Sequence, residues 1–562
     1  MFSVLPAPVS SRTAPRRLPT GLRPRYVIAL LVAFAVMAAM ATVVVSKPRS
    51  EAAILVENFA HALDERNVAA AAALTSYPNA AAQTITQMFD GLGPTGQSST
   101  RMSQYIGLDE TSGFFTLDTT WTFGEPRGAD TRQWHFTTQG STRKLAVGWK
   151  ISWAPEILAP DLGDGRTVAF TRTDAPAPTV LDASGEPMMA EQAIARVDLD
   201  PSSMPDPAST TQQLADVIDV VAPLITSETM LADLASAHGG PVTAVTLRAD
   251  DYAVLEDDLR AIPGVTLYTE PRLIAADRRL NSPLLDSLRN VWQQSRDETA
   301  GWAVDVASPD GTSSRKAGFQ GPGAPDIAST VDSGVQLAAE TAVVSVGTPA
   351  SIVAIKPSTG AVVAVAQNSY ANELGTPALN HLYPAGTVSE LVDASASMQG
   401  SDFSTAARQF GLGTSFSLPG ADVVTASVPD GRTRSDQFRS ASSTSRQDGM
   451  AVTPFGLAEM GAAISRGSAP APMIVNGRPA SVSSDGGPVD PAVLSRVRSS
   501  MTGLDGYTDV RGLTGGNSDD DRWYVATKGD LAISVLVENA GDADQAVRMT
   551  DLLLQEMASP TE

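Results

Sequence analysis

Residues 352–364 read IVAIKPSTGAVVA, and this segment carries the clearest structural signal in the chain. Two apolar runs flank the sequence PSTG at residues 357–360, and Pro and Gly are residues that favour a tight turn. The pattern predicts a β-hairpin with strands at Ala350–Ile355 and Ala361–Ala366. Apolar residues at helical spacing just before it predict a helix at Val331–Ala342.

The rest of the chain reads as a mixture of helices and strands. Helical spacing covers 50–77, Ile218–Ala237, Tyr252–Ile262 and Ala543–Met557. Strand patterns cover Phe114–Trp121, Arg132–Thr138, Leu145–Trp153, Val242–Leu247, Val265–Thr269 and Leu531–Val537. The polar stretch Val197–Thr211 reads as disordered, and Gly311–Asp326 reads as a loop. The sequence therefore predicts a multidomain protein of the α/β and α+β classes.

The composition excludes several classes of function. The chain has 562 residues, of which 43% are hydrophobic, so it can bury substantial cores. It has no Cys, which excludes disulfides, thiolate metal sites and a cysteine nucleophile. Its formal charge of −22 argues against a nucleic-acid partner. The four His share no metal spacing, and we predict neither a cofactor nor a metal site.

The N-terminus has the pattern of a membrane anchor. Residues 1–26 hold five Arg and no acidic residue, and Val27–Val45 contains no charged residue. About 19 apolar residues in a helix reach roughly across a bilayer core. We therefore predict a cytoplasmic tail at 1–26, a transmembrane helix at 27–46 and an extracytoplasmic main body in the cell membrane. A cleaved signal peptide, ending near Ala38–Ala41, is the alternative.

Several segments, in the same order as in the family, resemble the transpeptidase domain of class B penicillin-binding proteins. They are Thr330–Asp332, Gln336, Ala339–Glu340, Ile352–Ala364, Asn380, Tyr383–Thr387, Gln447, Val452–Pro454, Gly512–Gly515 and Trp523–Val525. Upstream, Trp149, Trp153 and Asp182–Met188 resemble the junction between the NTF2-like domain and the pedestal of such proteins. The resemblance implies an NTF2-like domain at 50–158, a pedestal or dimerisation-like domain at 159–320 and a transpeptidase-like (serine β-lactamase-like) domain at 321–562.

The family's acyl transfer needs three motifs, Ser-x-x-Lys, Ser-x-Asn and Lys-Thr-Gly. In this chain the first motif position reads Thr387-Val388-Ser389-Glu390, with Thr as nucleophile and Glu in the Lys position. The third reads Leu513-Thr514-Gly515, and the second position falls on Met398-Gln399-Gly400. All three motifs therefore depart from the family's pattern.

The distribution of Lys along the chain leads independently to the conclusion that the two Lys-bearing motifs are absent. The chain has six Lys, and none lies between Lys356 and Lys528. Neither Lys-bearing motif can therefore exist in that span. Two Ser-x-x-Lys strings occur elsewhere, at Ser141–Lys144 and Ser313–Lys316, and we interpret both as chance matches.

These departures leave three hypotheses. The leading one is a catalytically inactive homologue that acts as a scaffold or regulator of peptidoglycan synthesis through other cell-wall synthesis proteins. The second is an active D,D-transpeptidase or carboxypeptidase with Thr387 as nucleophile, His381 as the candidate base and Thr514-Gly515 as the edge that binds substrate. The third is a sensor that binds peptidoglycan stem peptides or β-lactams non-covalently. The sensor needs an Arg near the groove to offset Glu390, with Arg408, Arg434 and Arg511 as candidates.

Overall fold

The computed structural model describes residues 50–124, 132–163, 165–429, 449–482 and 486–559. They form two compact units. The first holds the described residues up to Thr171 together with Ala303–Gly318, and the second holds Arg172–Trp302 and the described residues from Phe319 onward. The predicted division at 158 and 320 stays a prediction.

In the first unit, helices pack on a four-stranded antiparallel sheet. Its elements before residue 160 are α1 (Glu51–Asp64), α2 (Val68–Ala73), α3 (Pro78–Leu92), β1 (Gln97–Gly107), β2 (Ser112–Phe123), β3 (Arg132–Leu145), β4 (Gly148–Ser152) and a 3-10 turn, Pro155–Ile157. The four strands pair in sequence order. Ser50 starts α1, because its hydroxyl accepts from the Ala53 N–H. Phe59, Ile85 and Trp121 are fully buried.

The middle of the chain adds two further sheets, one of three strands and one of five, and their helices. The elements are β5 (Thr167–Thr173), β6 (Val180–Leu181), β7 (Pro187–Leu199), a 3-10 turn (Pro201–Ser203), α4 (Pro207–Ile218), α5 (Ser227–Ser236), β8 (Val242–Arg248), α6 (Ala249–Arg260), β9 (Val265–Ala275), α7 (Leu284–Thr299), β10 (Gly301–Ala307), β11 (Ser313–Phe319) and β12 (Ile327–Ala328). Strands β8 and β9 both pair with β7, antiparallel to it. Side chains of α4, α5 and α6 share a core with these strands.

Three local predictions in this region are wrong. Val197–Thr211 is ordered: Val197 and Leu199 are buried in β7, and α4 follows. Two of its three acidic residues act as caps, since Asp200 accepts from the Ser202 N–H and Asp206 from the Ala208 N–H. The predicted helix Ile218–Ala237 is interrupted between Ile218 and Ser227, and the predicted loop Gly311–Asp326 contains β11.

The C-terminal part of the second unit contains a six-stranded antiparallel sheet. Its strand order is β14-β13-β24-β23-β22-β21. The elements are α8 (Ser333–Val343), β13 (Ala350–Lys356), β14 (Ala361–Gln367), α9 (Ser369–Asn372), α10 (Pro377–Asn380), β15 (Tyr383–Pro384), α11 (Thr387–Gln399), α12 (Phe403–Gln409), β16 (Ser415–Leu418), β17 (Ala421–Val424), β18 (Ala426–Ser427), β19 (Ala451–Val452), α13 (Pro454–Arg466), β20 (Ser481–Val482), α14 (Pro491–Ser500), β21 (Thr502–Gly503), β22 (Val510–Gly516), β23 (Arg522–Lys528), β24 (Leu531–Val537) and α15 (Gln545–Ala558).

Helices cover both faces of this sheet, as predicted. Successive residues of β23 belong to different cores: Trp523 and Val525 pack with α11, α13 and α14, whereas Tyr524 and Ala526 pack with α8 and α15. The predicted hairpin is confirmed as β13 and β14, and β24 and α15 also lie where the sequence predicts a strand and a helix. The mixed α/β and α+β class is therefore observed.

Across the described residues, no helix is long and apolar enough to cross a bilayer. The predicted tail at 1–26 and the predicted transmembrane helix at 27–46 lie outside those residues.

Candidate functional site

The candidate site begins where α11 begins. Thr387 is the first residue of α11, and Gly386 precedes it with φ of 46°. That left-handed conformation favours glycine, which has no Cβ to clash with the following carbonyl. The segment that leads into α11 is held by a short pairing of β15 with β19, and the Ala385 N–H donates to the Met450 carbonyl at 2.9 Å.

Hydrogen bonds from buried polar groups hold the segment before α11 in place. The Tyr383 hydroxyl donates to Glu538 Oε1 at 2.6 Å, and burial together with this hydrogen bond raises the pKa of Tyr383. Asn517 Nδ2 donates to the Pro384 carbonyl and to Asp521, whose other carboxylate oxygen accepts from the Asn539 N–H. The start of α11 is thus tied to the strands beside it.

The first turn of α11 lies directly against the end of β22. A Cβ at Gly515 would overlap the Thr387 hydroxyl and the Trp523 indole, and a Cβ at Gly386 would overlap the Gly516 carbonyl. Glycines on both elements permit this close approach. The structure therefore brings together Thr387 and Gly515, which are 128 positions apart in the sequence.

The pairing of β22 with β23 decides which side chains face α11. Leu513 pairs with Val525 and Gly515 with Trp523, so both lie on the α11 face, where Leu513 packs against the core. Thr514 pairs with Tyr524 on the opposite face and is exposed. Strand alternation thus directs the Thr514 hydroxyl away from Thr387.

The hydroxyl and carboxylate on α11 are exposed. Residues three apart on a helix are neighbours, so Glu390 lies about one turn from Thr387. Among the described residues, neither side chain has a hydrogen-bond or ion-pair partner. The ring of His381 lies 4.8 Å from the Tyr383 ring, centroid to centroid, and makes no hydrogen bond with Thr387. A nucleophilic hydroxyl needs an adjacent base, and the described residues bond none to Thr387.

The position predicted for the second motif is wrong. Gln399 ends α11, and Gly400 caps it in the left-handed conformation. Met398 is therefore 11 residues along the same helix from Thr387, roughly 16 Å at about 1.5 Å per residue. No side chain there can share a reaction centre with Thr387. The prediction failed because matching to the following helix, α12, does not reveal how long α11 is.

The three candidate arginines have different placements. Arg511 is exposed and lies on the same face of β22 as Leu513 and Gly515. Arg408, on α12, donates to the Thr405 hydroxyl at 3.3 Å. Arg434 lies outside the described residues.

The sequence analysis did not predict the hydrogen bonds that hold the site in place. The Tyr383–Glu538 pair joins residues that are 155 positions apart in the sequence, and no local pattern predicts such a pair. One usable signal was present in the NSDDD sequence at 517–521, where Asn and Asp favour turns that bond their own backbone. Asn517 Oδ1 accepts there from the N–H groups of Asp519 and Asp521.

No protein-family model matches the chain, and no curated protein matches it.

Proposed function

We propose that the protein is a membrane-anchored homologue of class B penicillin-binding proteins with the transpeptidase-like fold but without acyl-transfer chemistry. In this proposal it acts as a scaffold or regulator of peptidoglycan synthesis. Its partners are other cell-wall synthesis proteins outside the cytoplasm.

The observation that carries the proposal is the contact between the first turn of α11 and Gly515 on β22. The resemblance assigns these two segments to the first and third motifs of one active site. The two segments are far apart in the sequence, and the structure brings them together as the resemblance requires. Their meeting supports the transpeptidase-like fold.

The side chains at this contact support the loss of chemistry. The Lys positions hold Glu390 and Leu513, and Leu513 packs into an apolar core. Thr387 has no bonded base in the described part of the chain, and Glu390 places a carboxylate where a carboxylate substrate would be repelled. A scaffold needs none of these groups.

The scaffold role is tested by complementation in the source organism. The gene for the chain is deleted. Wild-type, Thr387→Ala and Glu390→Ala proteins are then expressed in the deletion strain at equal protein levels, with Thr84→Ala as a matched control. Incorporation of a fluorescent D-amino acid into the wall is the readout. The deletion is expected to change incorporation, and all four versions to restore it. Failure of Thr387→Ala at normal protein level, or a deletion without effect, would contradict the proposal.

Arg511 favours the sensor as a second candidate function. It is exposed, it lies on the strand face that carries Leu513 and Gly515, and no described side chain neutralises it. A stem peptide ending in D-Ala-D-Ala presents a carboxylate that an Arg could bind. Calorimetric titration of the full chain with such a pentapeptide, and of Arg511→Ala beside it, tests this function. Equal heats for both proteins would exclude a role of Arg511.

A further inference from the structure

Exposed apolar side chains gather at one end of the four-stranded sheet of the first unit. Among the described residues of that unit, seven large apolar side chains are exposed. Five of them lie at this end and are called the apolar tip: Ile106, Leu108, Phe114, Leu145 and Val147. They are between 40% and 78% exposed. An exposed apolar patch of this kind usually marks a contact with a protein or a membrane.

Strand alternation puts three of these side chains on one face of the sheet. Ile106 is paired with Phe114 across β1 and β2, and Phe114 with Ser141 across β2 and β3. Paired residues share a face, and so do residues an even number of positions apart on one strand, such as Ser141 and Leu145. Phe115, the next residue on β2, is buried on the opposite face. Ile106, Phe114 and Leu145 therefore lie on the outer face of the sheet.

The two turns at this end of the sheet supply the other two side chains. Leu108 lies in the turn between β1 and β2, and Val147 lies in the turn between β3 and β4. The Lys144 N–H donates to the Thr111 carbonyl at 2.8 Å, and this hydrogen bond joins the two turns. All five side chains thus belong to the same end of the sheet.

Helix α1 begins at the end of the sheet that carries the apolar tip. Its last turn is held toward the opposite end, where the Thr100 N–H donates to the Asp64 carboxylate at 2.8 Å. The helix also packs on β4. Strand β4 lies only at the tip end, because its last residue, Ser152, is paired with Ser141, the partner of Phe114. The earlier turns of α1 therefore make the contacts with β4, and the helix starts beside the apolar tip.

The predicted transmembrane helix ends four residues before α1. The intervening residues, 47–50, read KPRS. A fully extended chain spans at most about 3.6 Å per residue, so residue 46 and the start of α1 are no more than about 18 Å apart. The end of the sheet that carries the apolar tip is thereby held close to the bilayer surface. This step rests on the membrane anchor of the proposed function.

Charged residues of both signs surround the apolar tip. Arg143 and Lys144 are exposed on β3, and Lys150 is partly exposed on β4. Asp109 and Glu110 are exposed in the turn between β1 and β2. Because the two signs nearly balance, contact between apolar groups, rather than attraction to anionic headgroups, is the interaction that this surface favours.

We infer that the apolar tip inserts into the headgroup region of the bilayer beside the predicted anchor. Apolar side chains on membrane-bound surfaces reach about 5–10 Å into the boundary between headgroups and acyl chains. A second copy of the chain or a partner protein would also cover an apolar surface. The bilayer is the occupant favoured here, because the attachment of α1 brings it to this end of the sheet. The contact orients the first unit relative to the membrane.

The test places one fluorescent label on the tip of the full chain in phosphatidylcholine nanodiscs. The chain has no Cys, so Val147→Cys carries a single nitrobenzoxadiazole label. Gln133→Cys, exposed at the other end of β3, carries the same label as a control. A lipid with a nitroxide on its headgroup quenches nearby labels. We expect the label at residue 147 to lose at least about twice as much fluorescence as the label at residue 133.

The outcomes separate this inference from the anchor. Equal quenching at both positions, in a chain that co-purifies with the nanodiscs, would overturn the inference and leave the anchor intact. A chain that does not co-purify would refute the anchor of the proposed function, and the inference with it. A label at residue 147 that neither aqueous iodide nor the nitroxide lipid quenches would assign the tip to a second copy or a partner protein, which also overturns the inference.

Variants of the tip give a second reading from a label in the same turn. With the label on Glu110→Cys, the double variant Leu108→Ser and Val147→Ser should lower the quenching at least about twofold. The double variant Val220→Ser and Leu224→Ser removes two exposed apolar side chains from the second unit and should leave the quenching unchanged. All four side chains are exposed, so thermal unfolding should stay close to that of the wild type. Unchanged quenching in the tip variant would overturn the inference.

Discussion

Glu459 is a fully buried carboxyl in the middle of α13, and neither of its oxygens has a hydrogen-bond partner among the residues that the structure describes. Burial raises its pKa well above the usual value, so the folded chain keeps this proton to a higher pH than the unfolded chain does. The unfolded chain loses that proton above about pH 4.5. Because the unfolded state then binds fewer protons than the folded state, stability falls as pH rises through and above this value.

Replacing Glu459 by Met should therefore stabilise the protein. Met has a similar length and no polar atom to desolvate. We expect a gain of about 1–3 kcal/mol at pH 8 and a smaller gain at pH 5. Calorimetric unfolding of the full chain at both pH values measures this gain, with Glu298→Met at an exposed position as control. A Met variant less stable than wild type at pH 8 would show that Glu459 has a stabilising partner.

Gly515 tests the close approach of α11 to β22. A Cβ there would overlap the Thr387 hydroxyl and the Trp523 indole. Gly515→Ala should cost about 1–3 kcal/mol, because α11 or the indole must shift. Gly503→Ala, on the neighbouring strand with open space around it, should change stability by less than about 0.5 kcal/mol. Equal effects in thermal unfolding would mean that the two elements are not in contact.

At the residue scale, the sequence predicted where a residue lies in a helix or strand better than it predicted how deeply that residue is buried. The resemblance predicts Thr387 at a helix start, and it is the first residue of α11. The burial of Glu340 and Glu459 was not predicted, because it depends on which elements cover each helix. A weak signal existed for Glu340, since Gln336 and Glu340 are four apart on a helix whose neighbouring positions are apolar.

At the element scale, Thr453 controls the start of α13. Its hydroxyl accepts from the Gly456 N–H at 2.9 Å and donates to the Val424 carbonyl at 2.6 Å. It is completely buried, so the loss of the hydroxyl leaves both groups without a partner and without water.

Thr453→Val should therefore destabilise the protein by about 2–4 kcal/mol, the sum of a lost cap and an unpaired carbonyl. Thr453→Ser keeps the hydroxyl and should cost less than about 1 kcal/mol. Chemical denaturation of both variants beside wild type measures the difference. Similar losses for Val and Ser would assign the effect to packing of the methyl group instead.

The sequence predicted elements that have a local sequence pattern. It did not predict which strands pair when they are far apart in the chain. The hairpin of β13 and β14 follows from a turn sequence between apolar runs. The strand order β14-β13-β24-β23-β22-β21 has no local signal, because it places the end of the chain beside the hairpin. The polar residues around α4 were misread because caps and disordered segments share Asp, Ser and Pro.

At the scale of the whole molecule, the N-terminal sequence predicts membrane attachment. The full chain should stay with the membrane fraction after alkaline carbonate extraction, and a chain lacking residues 1–46 should not. The reason is the uncharged run Val27–Val45 after an Arg-rich tail. N-terminal sequencing of the membrane-bound protein checks the alternative. A mature chain that starts near residue 42 would identify a cleaved signal peptide.

The central claim is that the fold is present and the acyl-transfer chemistry is absent. Covalent labelling of the full chain with a fluorescent penicillin tests it most directly, beside Thr387→Ala and a triple variant carrying Thr387→Ser, Glu390→Lys and Leu513→Lys. We expect no labelling of the wild type. Labelling of the triple variant, which restores only the first and third motifs at the contact of α11 with β22, would show that the cleft still binds a β-lactam. Labelling of the wild type that is lost in Thr387→Ala would contradict the account and make Thr387 a working nucleophile.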